Sequence, residues 1–388
     1  MRLRVAVLGP APPDRGGIAR ETRLLVEELS RRVEVSWWTF SRRYPRWLDP
    51  RRFDRDPELP ASGARAVLDY RSPLSWRRTA EALASERPDA LIVPWWTAFW
   101  GLPLRAVFRR FRRLSPSAPR VLLCHNVEDH EGGALRRFLA AGAFLASDAF
   151  VCHSREDARR LARVAPGRPA RVLPHPIEVA APGPGSPDPE RARERLGIPA
   201  REPLVLFLGL VRRYKGLDVL LDAAPEIVRR TGARIAIVGE VFPDARDVLR
   251  RVESSPVRDR IRIEDRYVPE AEMDLWLAAS HAVVLPYRAI SGSGIAARAI
   301  AARRPMAASA IGGLIEAVVP SVTGELFAPG DAGGLAEATA LILSRGIDSY
   351  AEGLARAAEA AAWPRYASEI LDFVGELATA QGKERPVF

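Results

Sequence analysis

Short apolar runs recur along this chain, each too short for a core helix and long enough for a strand. They fall at 3–8, 33–40, 66–70, 90–94, 120–125, 149–153 and 171–173, and again at 204–208, 234–238, 261–263, 282–285, 306–309 and 325–327. The run LVLFL at 204–208 has no polar residue to turn toward water, as a parallel strand covered on both faces requires. Helical patterns fill most of the gaps, so the expected architecture is parallel α/β. The segment VAAPGPGSPDP at 179–189 is rich in Pro and Gly and reads as a linker between two such halves. A length of 388 residues with 47% apolar residues suffices for two cores.

Several of these runs end in segments suited to a phosphorylated ligand. After 204–208 come Gly209, then Arg212, Arg213 and Lys215, then Gly216 and an amphipathic helix carrying Leu217, Leu220, Leu221 and Ala224. A cationic turn between the carboxyl end of a parallel strand and a helix start favours an anion, although solvated surface charge would give the same letters. After 3–8, the glycine pair Gly16 and Gly17 precedes a helix beginning near Ile18. The pair allows close backbone approach, but by itself it is also an ordinary turn. After 282–285, Ser291-Gly292-Ser293-Gly294 leads into a helix, placing small residues and exposed amides at a positive helix end. Gly312-Gly313-Leu314-Ile315-Glu316 and the turn-rich 323–331 complete the second half.

Taken together, these segments resemble the family-4 glycosyltransferases, retaining enzymes of the GT-B fold that use nucleotide sugars. The resemblance covers nearly the whole chain and is carried most by 209–218 (GLVRRYKGLD), Ser293-Gly294, 312–316 and 324–331. It implies two Rossmann-like parallel α/β domains facing each other across a cleft. The expected boundaries are an acceptor-side domain at 1–178, a linker at 179–199 and a nucleotide-sugar domain at 200–363. A final helix at 364–388 would rejoin the first domain. By position, the resemblance assigns Arg212 and Lys215 to the donor diphosphate and Gly16 and Gly17 to the donor phosphates and acceptor. His125, in VLLCHNVEDHE at 121–131, matches the family's central histidine, and a core histidine bonded to a backbone carbonyl is the competing reading. Gly209, Ser293, Gly294, Arg298 and Glu316 join the expected donor site. Glu316 is read equally well as a carboxylate favoured by a helix N-terminus. Where many members carry two glutamates, this chain has Ile290 and Arg298. Arg298 offers only donors, so it cannot accept a hydrogen bond from a ribose hydroxyl. The pattern P-Y-R-x-x-x-x-S-G-I at 286–295 matches a branch with S-G-[IV] at this place.

Charge is uneven. The net charge is +10, and residues 1–120 hold 24 arginines against 13 Asp and Glu, while lysine occurs only at 215 and 383. An excess on the acceptor side asks for an anionic partner. In 102–114, Leu104, Val107, Phe108, Phe111 and Leu114 share a helical face ringed by arginines, downstream of Trp95, Trp96, Phe99 and Trp100. Such a helix either lies at an anionic membrane surface or packs on the domain sheet with a solvated arginine face. Nucleic acid is not expected, because no recognition motif accompanies the charge. No apolar run approaches the roughly 18 residues of a membrane span. The chain enters a strand within three residues, so no signal peptide is expected and the protein is placed in the cytoplasm, at the inner face of the membrane if 102–114 binds lipid. Cys124 and Cys152, both in apolar runs, are expected as reduced core residues.

The expected reaction is sugar transfer with retention from a nucleotide-diphosphate sugar to a glycan or lipid-linked acceptor, of the kind used in cell-envelope polysaccharide synthesis. No cofactor is expected. No metal is expected either, since the one Asp-x-Asp, Asp54-Arg55-Asp56, lies in a loop among Arg and Pro. Arg212 and Lys215 would stabilise the departing diphosphate, and the phosphate itself would help deprotonate the acceptor hydroxyl. The other readings are a non-catalytic GT-B relative, suggested by Ile290 and Arg298, and another GT-B nucleotide-sugar enzyme such as an epimerase.

Overall fold

The structure is a computed structural model that describes residues 3–14, 16–44, 62–127, 133–178, 187–290 and 292–380. The loop that holds Asp54 and Asp56 lies outside the described residues. The chain divides into two compact units, Met1–Leu173 with Trp363–Phe388, and Pro174–Ala362. Each is a parallel sheet with helices on its faces, so the expected α/β architecture is present twice.

In the first unit the elements run β1 (Arg4–Leu8), α1 (Gly17–Ser30), β2 (Glu34–Arg42), β3 (Arg65–Asp69), α2 (Pro73–Ser85), β4 (Ala90–Trp95), α3 (Gly101–Leu114), β5 (Arg120–Cys124), α4 (Ala134–Ala146), β6 (Ala149–Cys152), α5 (Arg155–Val164) and β7 (Ala170–Val172). The sheet order is β3-β2-β1-β4-β5-β6-β7, and every pairing is parallel. Alternate residues of one strand serve two cores. Leu91, Val93 and Trp95 of β4 face a cluster with Leu122, Cys124 and Phe150, while Ala90 and Ile92 face one with Val5, Val7 and Val121. Double-sided burial explains why these strands read as unbroken apolar runs. Both cysteines are buried and unbridged on neighbouring strands.

Residues 102–114 form the expected helix, and the structure decides between its two readings. Leu104, Val107, Phe108 and Phe111 are fully buried in the first core, each worth about 1.5–3 kcal/mol of transfer free energy. Trp95 and Trp100 are buried too, and Trp100 packs on Phe40 at 4.4 Å between ring centroids. The apolar face of α3 therefore belongs to the sheet, not to a bilayer. Leu114, assigned to that face by spacing, is instead exposed at its end.

The second unit contains α6 (Pro189–Leu196), β8 (Leu204–Leu208), α7 (Leu217–Thr231), β9 (Arg234–Val238), α8 (Asp247–Glu253), β10 (Ile261–Glu264), α9 (Glu270–Ala279), β11 (Ala282–Leu285), α10 (Gly294–Ala301), β12 (Met306–Ser309), α11 (Leu314–Ala317), β13 (Gly324–Phe327), α12 (Ala332–Arg345) and α13 (Ala351–Ala360). Its sheet is parallel with order β10-β9-β8-β11-β12-β13. The expected linker at 179–199 holds α6, where the Asp188 side chain caps the first turn and Gly197 ends the helix in the left-handed region. Residues 179–186 lie outside the described residues. Arg193 of α6 is buried and donates to the Ala279 carbonyl at 2.8 Å, fastening α6 to α9. The last helix, α14 (Trp363–Ala380), packs in the first unit, where Ile370, Phe373 and Val374 join the cluster of Leu25 and Leu29 from α1.

Strand order reverses between β1 and β4 in the first unit and between β8 and β11 in the second. Parallel α/β sheets present ligands with a crevice at such a reversal, beyond the carboxyl ends of the strands. The loops leaving β8 and β11 hold most of the residues singled out in the second half.

Candidate functional site

The turn after β8 is fixed by backbone contacts before any side chain acts. The Gly209 amide donates to Val238 O at 2.9 Å, and the Val211 amide donates to Glu240 O at 2.9 Å, carrying the strand register past its end. Residues Arg213–Lys215 make one 3₁₀ turn, and Gly216 follows with φ 66°. A Cβ on Gly216 would lie 1.9 Å from the Pro286 carbonyl oxygen, so only glycine lets the β8 turn meet the β11 loop. The Arg288 amide completes the stitch by donating to Tyr214 O at 2.7 Å.

This turn folds Lys215 inward. Its side chain is 8% exposed, its Nζ is 5.4 Å from the centroid of the Tyr287 ring, and it lies 3.2 Å from where a Gly209 Cβ would be. Burial pulls its pKa from 10.5 down to about 8. Among the described residues no carboxylate pairs with it. A buried ammonium without a counter-ion is unfavourable unless an anion completes the site. The same burial, with Tyr214 nearby, raises the Tyr287 hydroxyl above its usual range.

Helix α10 brings its first turn to the same place. Ile295 Cδ1 is 3.2 Å from the position of a Gly209 Cβ. The Ser293 hydroxyl accepts from the Ala296 amide at 3.1 Å, which caps the helix and leaves the amides before it at the helix mouth. Gly209, Lys215, Ser293 and Gly294 are thus one cluster of donors and small residues. Arg212 stands beside it, one quarter exposed, its Nε 3.0 Å from Asp244 Oδ1 and its guanidinium 4.9 Å from the centroid of Phe242. Burial raises the Asp244 pKa, but the Arg213 amide and the Arg212 guanidinium outweigh it and hold the carboxyl below its ordinary value.

Two expected donor residues lie differently. Arg298, one turn into α10, directs its guanidinium to α9, with Nη1 2.9 Å from Asp274 Oδ1 and Nη2 3.2 Å from Glu270 Oε2. Glu316 is exposed on the four-residue α11, on a loop that Gly312 seats against the Ile290 carbonyl.

In the first unit, Gly16 has φ 116° and receives the start of α1, with its carbonyl accepting from the Arg20 amide at 3.2 Å. Among the described residues, nothing lies within 4 Å of a Cβ built on Gly16 or Gly17. One turn on, Glu21 Oε2 lies 3.1 Å from His125 Nδ1. The His125 amide donates to Trp95 O at 2.9 Å, holding the residue at the end of β5. His153 is buried with Nδ1 3.2 Å from Leu173 O, and His125, His153 and His175 bring ring nitrogens within 4.8 Å of one another. Sequence reasoning missed Glu21, Asp244 and Tyr287. Each sits at the mouth of a strand–helix unit, but its partner lies far along the chain.

Comparison with known proteins bears on the family and the fold. The profile of Glycosyltransferase Family 4 matches residues 15–217, and that of Glycosyl transferases group 1 matches 202–345. The D-inositol 3-phosphate glycosyltransferase 1 of Catenulispora acidiphila is 31% identical over 194 residues, covering 47% of this chain and 45% of that protein. The D-inositol 3-phosphate glycosyltransferase of Xylanimonas cellulosilytica is 31% identical over 286 residues, covering 70% of this chain and 66% of that protein. The chain thus spans about half to two thirds of the curated relatives it matches. Among solved structures, sucrose-phosphate synthase from Thermosynechococcus elongatus superposes with a TM-score of 0.73 at 20% identity, over 98% of this chain and all of that one. Anabaena HepE, in complex with UDP and glucose, superposes with a TM-score of 0.73 at 14% identity, over 96% of this chain and all of that one. Its fold is that of the GT-B proteins, and the chain belongs to glycosyltransferase family 4.

Proposed function

We propose that this protein transfers a sugar from a nucleotide-diphosphate sugar, with retention of configuration, to a glycan or lipid-linked acceptor. The observation that carries the reading is Lys215, a buried ammonium without a carboxylate partner among the described residues, at the mouth of α10. A diphosphate supplies the missing charge. As the sugar–phosphate bond weakens, negative charge grows on the departing oxygen, and Lys215 with the α10 amides meets it without reorganising. Arg212, already oriented by Asp244, adds a forked donor pair. In this reading protein cations and amides do the work that a divalent metal does elsewhere, and no cofactor takes part.

The first unit supplies the acceptor side. In this reading the Glu21 carboxylate, 3.1 Å from Nδ1 of His125, favours a proton on that nitrogen and helps orient the ring toward the sugar or acceptor hydroxyl. Gly16 and Gly17 leave their amides accessible. In this reading the protein works in the cytoplasm. Uridine is the first base to test, because the Anabaena HepE structures hold UDP.

A second reading has its own observation. Arg298 is held by Glu270 and Asp274 where many relatives hold a ribose with a carboxylate, which fits a relative that binds without turnover. A panel of UDP-, GDP-, ADP- and dTDP-sugars, with and without added metal, separates the two. A thermal shift with one nucleotide and slow release of its diphosphate supports the enzyme. A shift without release in the presence of candidate acceptors supports the binding protein. No shift with any member rejects the diphosphate site.

A further inference from the structure

The basic half of the chain has an apolar face that the sheet does not use, and it lies on α4 and the outer side of α3. Leu135 is 69% exposed, Phe138 67%, Leu145 54% and Leu102 51%. The helices lie side by side in one direction. A Cβ on Gly101 would fall 2.2 Å from Leu139 O, and a Cβ on Gly142 would fall 3.1 Å from Arg105 Cδ. On α4, positions 135, 138 and 145 follow helical spacing along one stripe, and 102, 105 and 109 do the same on the outer side of α3. The stem of Arg105 crosses the gap between the stripes at Gly142, where no side chain intervenes. The result is a row of leucines and a phenylalanine beside a row of arginines.

Among the described residues, α3 and α4 bring charge of one sign to this face. Neither α3 nor α4 contains an acidic residue, and together they carry seven arginines. Arg110 is paired with Glu81 on the neighbouring α2 at 2.8 Å. Arg105 and Arg109 lie in the outer row, and Arg137 directly precedes Phe138. Exposed leucines alone would be scattered surface residues. Four in register, interleaved with arginines whose stems lie along apolar surface, match the boundary between lipid headgroups and acyl chains.

We propose that α4 and the outer side of α3 dock on a bilayer containing anionic lipid. Leu102, Leu135, Phe138 and Leu145 enter the headgroup boundary, and the arginines contact lipid phosphates. This surface is not the buried face of α3, and it requires no sugar transfer, so it stands or falls apart from the catalytic reading.

The test is partition of the purified full chain onto phosphatidylcholine vesicles with and without phosphatidylglycerol, at low salt. Binding is expected only with the anionic lipid. Leu135→Ser with Phe138→Ser should weaken it by about tenfold or more. Arg105→Gln with Arg109→Gln, which removes two charges, should weaken it about thirtyfold. All four side chains are at the surface, and an unchanged thermal midpoint will show that the variants fold. Phe138→Cys labelled with an environment-sensitive dye should shift to the blue on anionic vesicles, since Cys124 and Cys152 are buried and will not label. The proposal is overturned if the wild type ignores anionic vesicles at low salt. It is equally overturned if the arginine variant loses binding while the leucine–phenylalanine variant and the dye are unaffected, because that pattern describes charge adsorbed above the headgroups with no apolar side chain entering them.

Discussion

Glu21 Oε2 stands 3.1 Å from His125 Nδ1, joining the helix that starts at the glycine loop to the histidine at the end of β5. The pair makes the orientation of His125 depend on α1. If the histidine positions sugar or acceptor, Glu21 contributes to that step through it. His125→Ala should then lower kcat/KM on the order of a hundredfold and Glu21→Ala on the order of tenfold, with the double variant no worse than His125→Ala. Independent, multiplying losses in steady-state kinetics would show that the two do not work as a unit.

Lys215 predicts a pH dependence with a definite sign. In the free protein its pKa is about 8, and an anion beside it favours the charged form. Nucleotide-diphosphate affinity should hold from neutral pH to about 8 and then fall by up to about tenfold per pH unit as the apo lysine loses its proton. The folding term has the opposite sense. The unfolded lysine, at 10.5, binds more protons between pH 8 and 10.5, so ligand-free stability gains from this group as pH rises through that window. Calorimetric titration at several pH values reads the first effect. Lys215→Ala should remove the affinity and its pH dependence together, and an affinity flat across pH 8 to 9 in the wild type would reject Lys215 as the diphosphate cation.

Gly216 is where the β8 turn and the β11 loop touch. An alanine there would put Cβ 1.9 Å from Pro286 O at φ 66°, so the loops must separate. Gly216→Ala should cost about 2–4 kcal/mol in a urea titration and weaken nucleotide binding, because Lys215 is the residue just before it. Gly232 is a control: it also has a positive φ, but no atom lies near its Cβ position. Gly232→Ala should cost only about 1 kcal/mol and leave binding unchanged.

Much of this was legible in the letters, for a physical reason. A strand buried on both faces has no room for polar residues, so the central runs read as unbroken, and each of the thirteen strands among the described residues falls on an expected run with ends shifted by a residue or two. The turn 209–216 was legible because cations, glycines and a helix start are all local. What was not legible depends on distant parts of the chain. Asp244 holds Arg212 from 32 residues away. Nothing near Arg298 in sequence announces its partners on α9. In 102–114 the spacing revealed an apolar face but not what covers it, and α2, α4 and the sheet cover it. The face left open lies on the outer side of the same helix and on α4.

His281 offers a test of the second unit's stability, independent of ligand. It sits just before β11, and its Nδ1 accepts the Leu204 amide at the start of β8 at 3.1 Å, with Arg193 Nη1 3.4 Å away. Burial, then Arg193 and Arg304, push its pKa from 6.5 down to about 4. The ring must be neutral to accept, so protonation breaks the bond that ties β8 to the β11 entry. Between pH 6.5 and 4 the unfolded chain binds this proton and the folded chain does not, so stability is full above about 6.5 and declines as pH falls toward 4. His281→Asn keeps an acceptor near the Nδ1 position and removes the titration. The thermal midpoint of the wild type should therefore fall more steeply from pH 6.5 to 4.5 than that of the variant. Parallel slopes would mean that acid acts on this protein through its carboxylate pairs and not through His281.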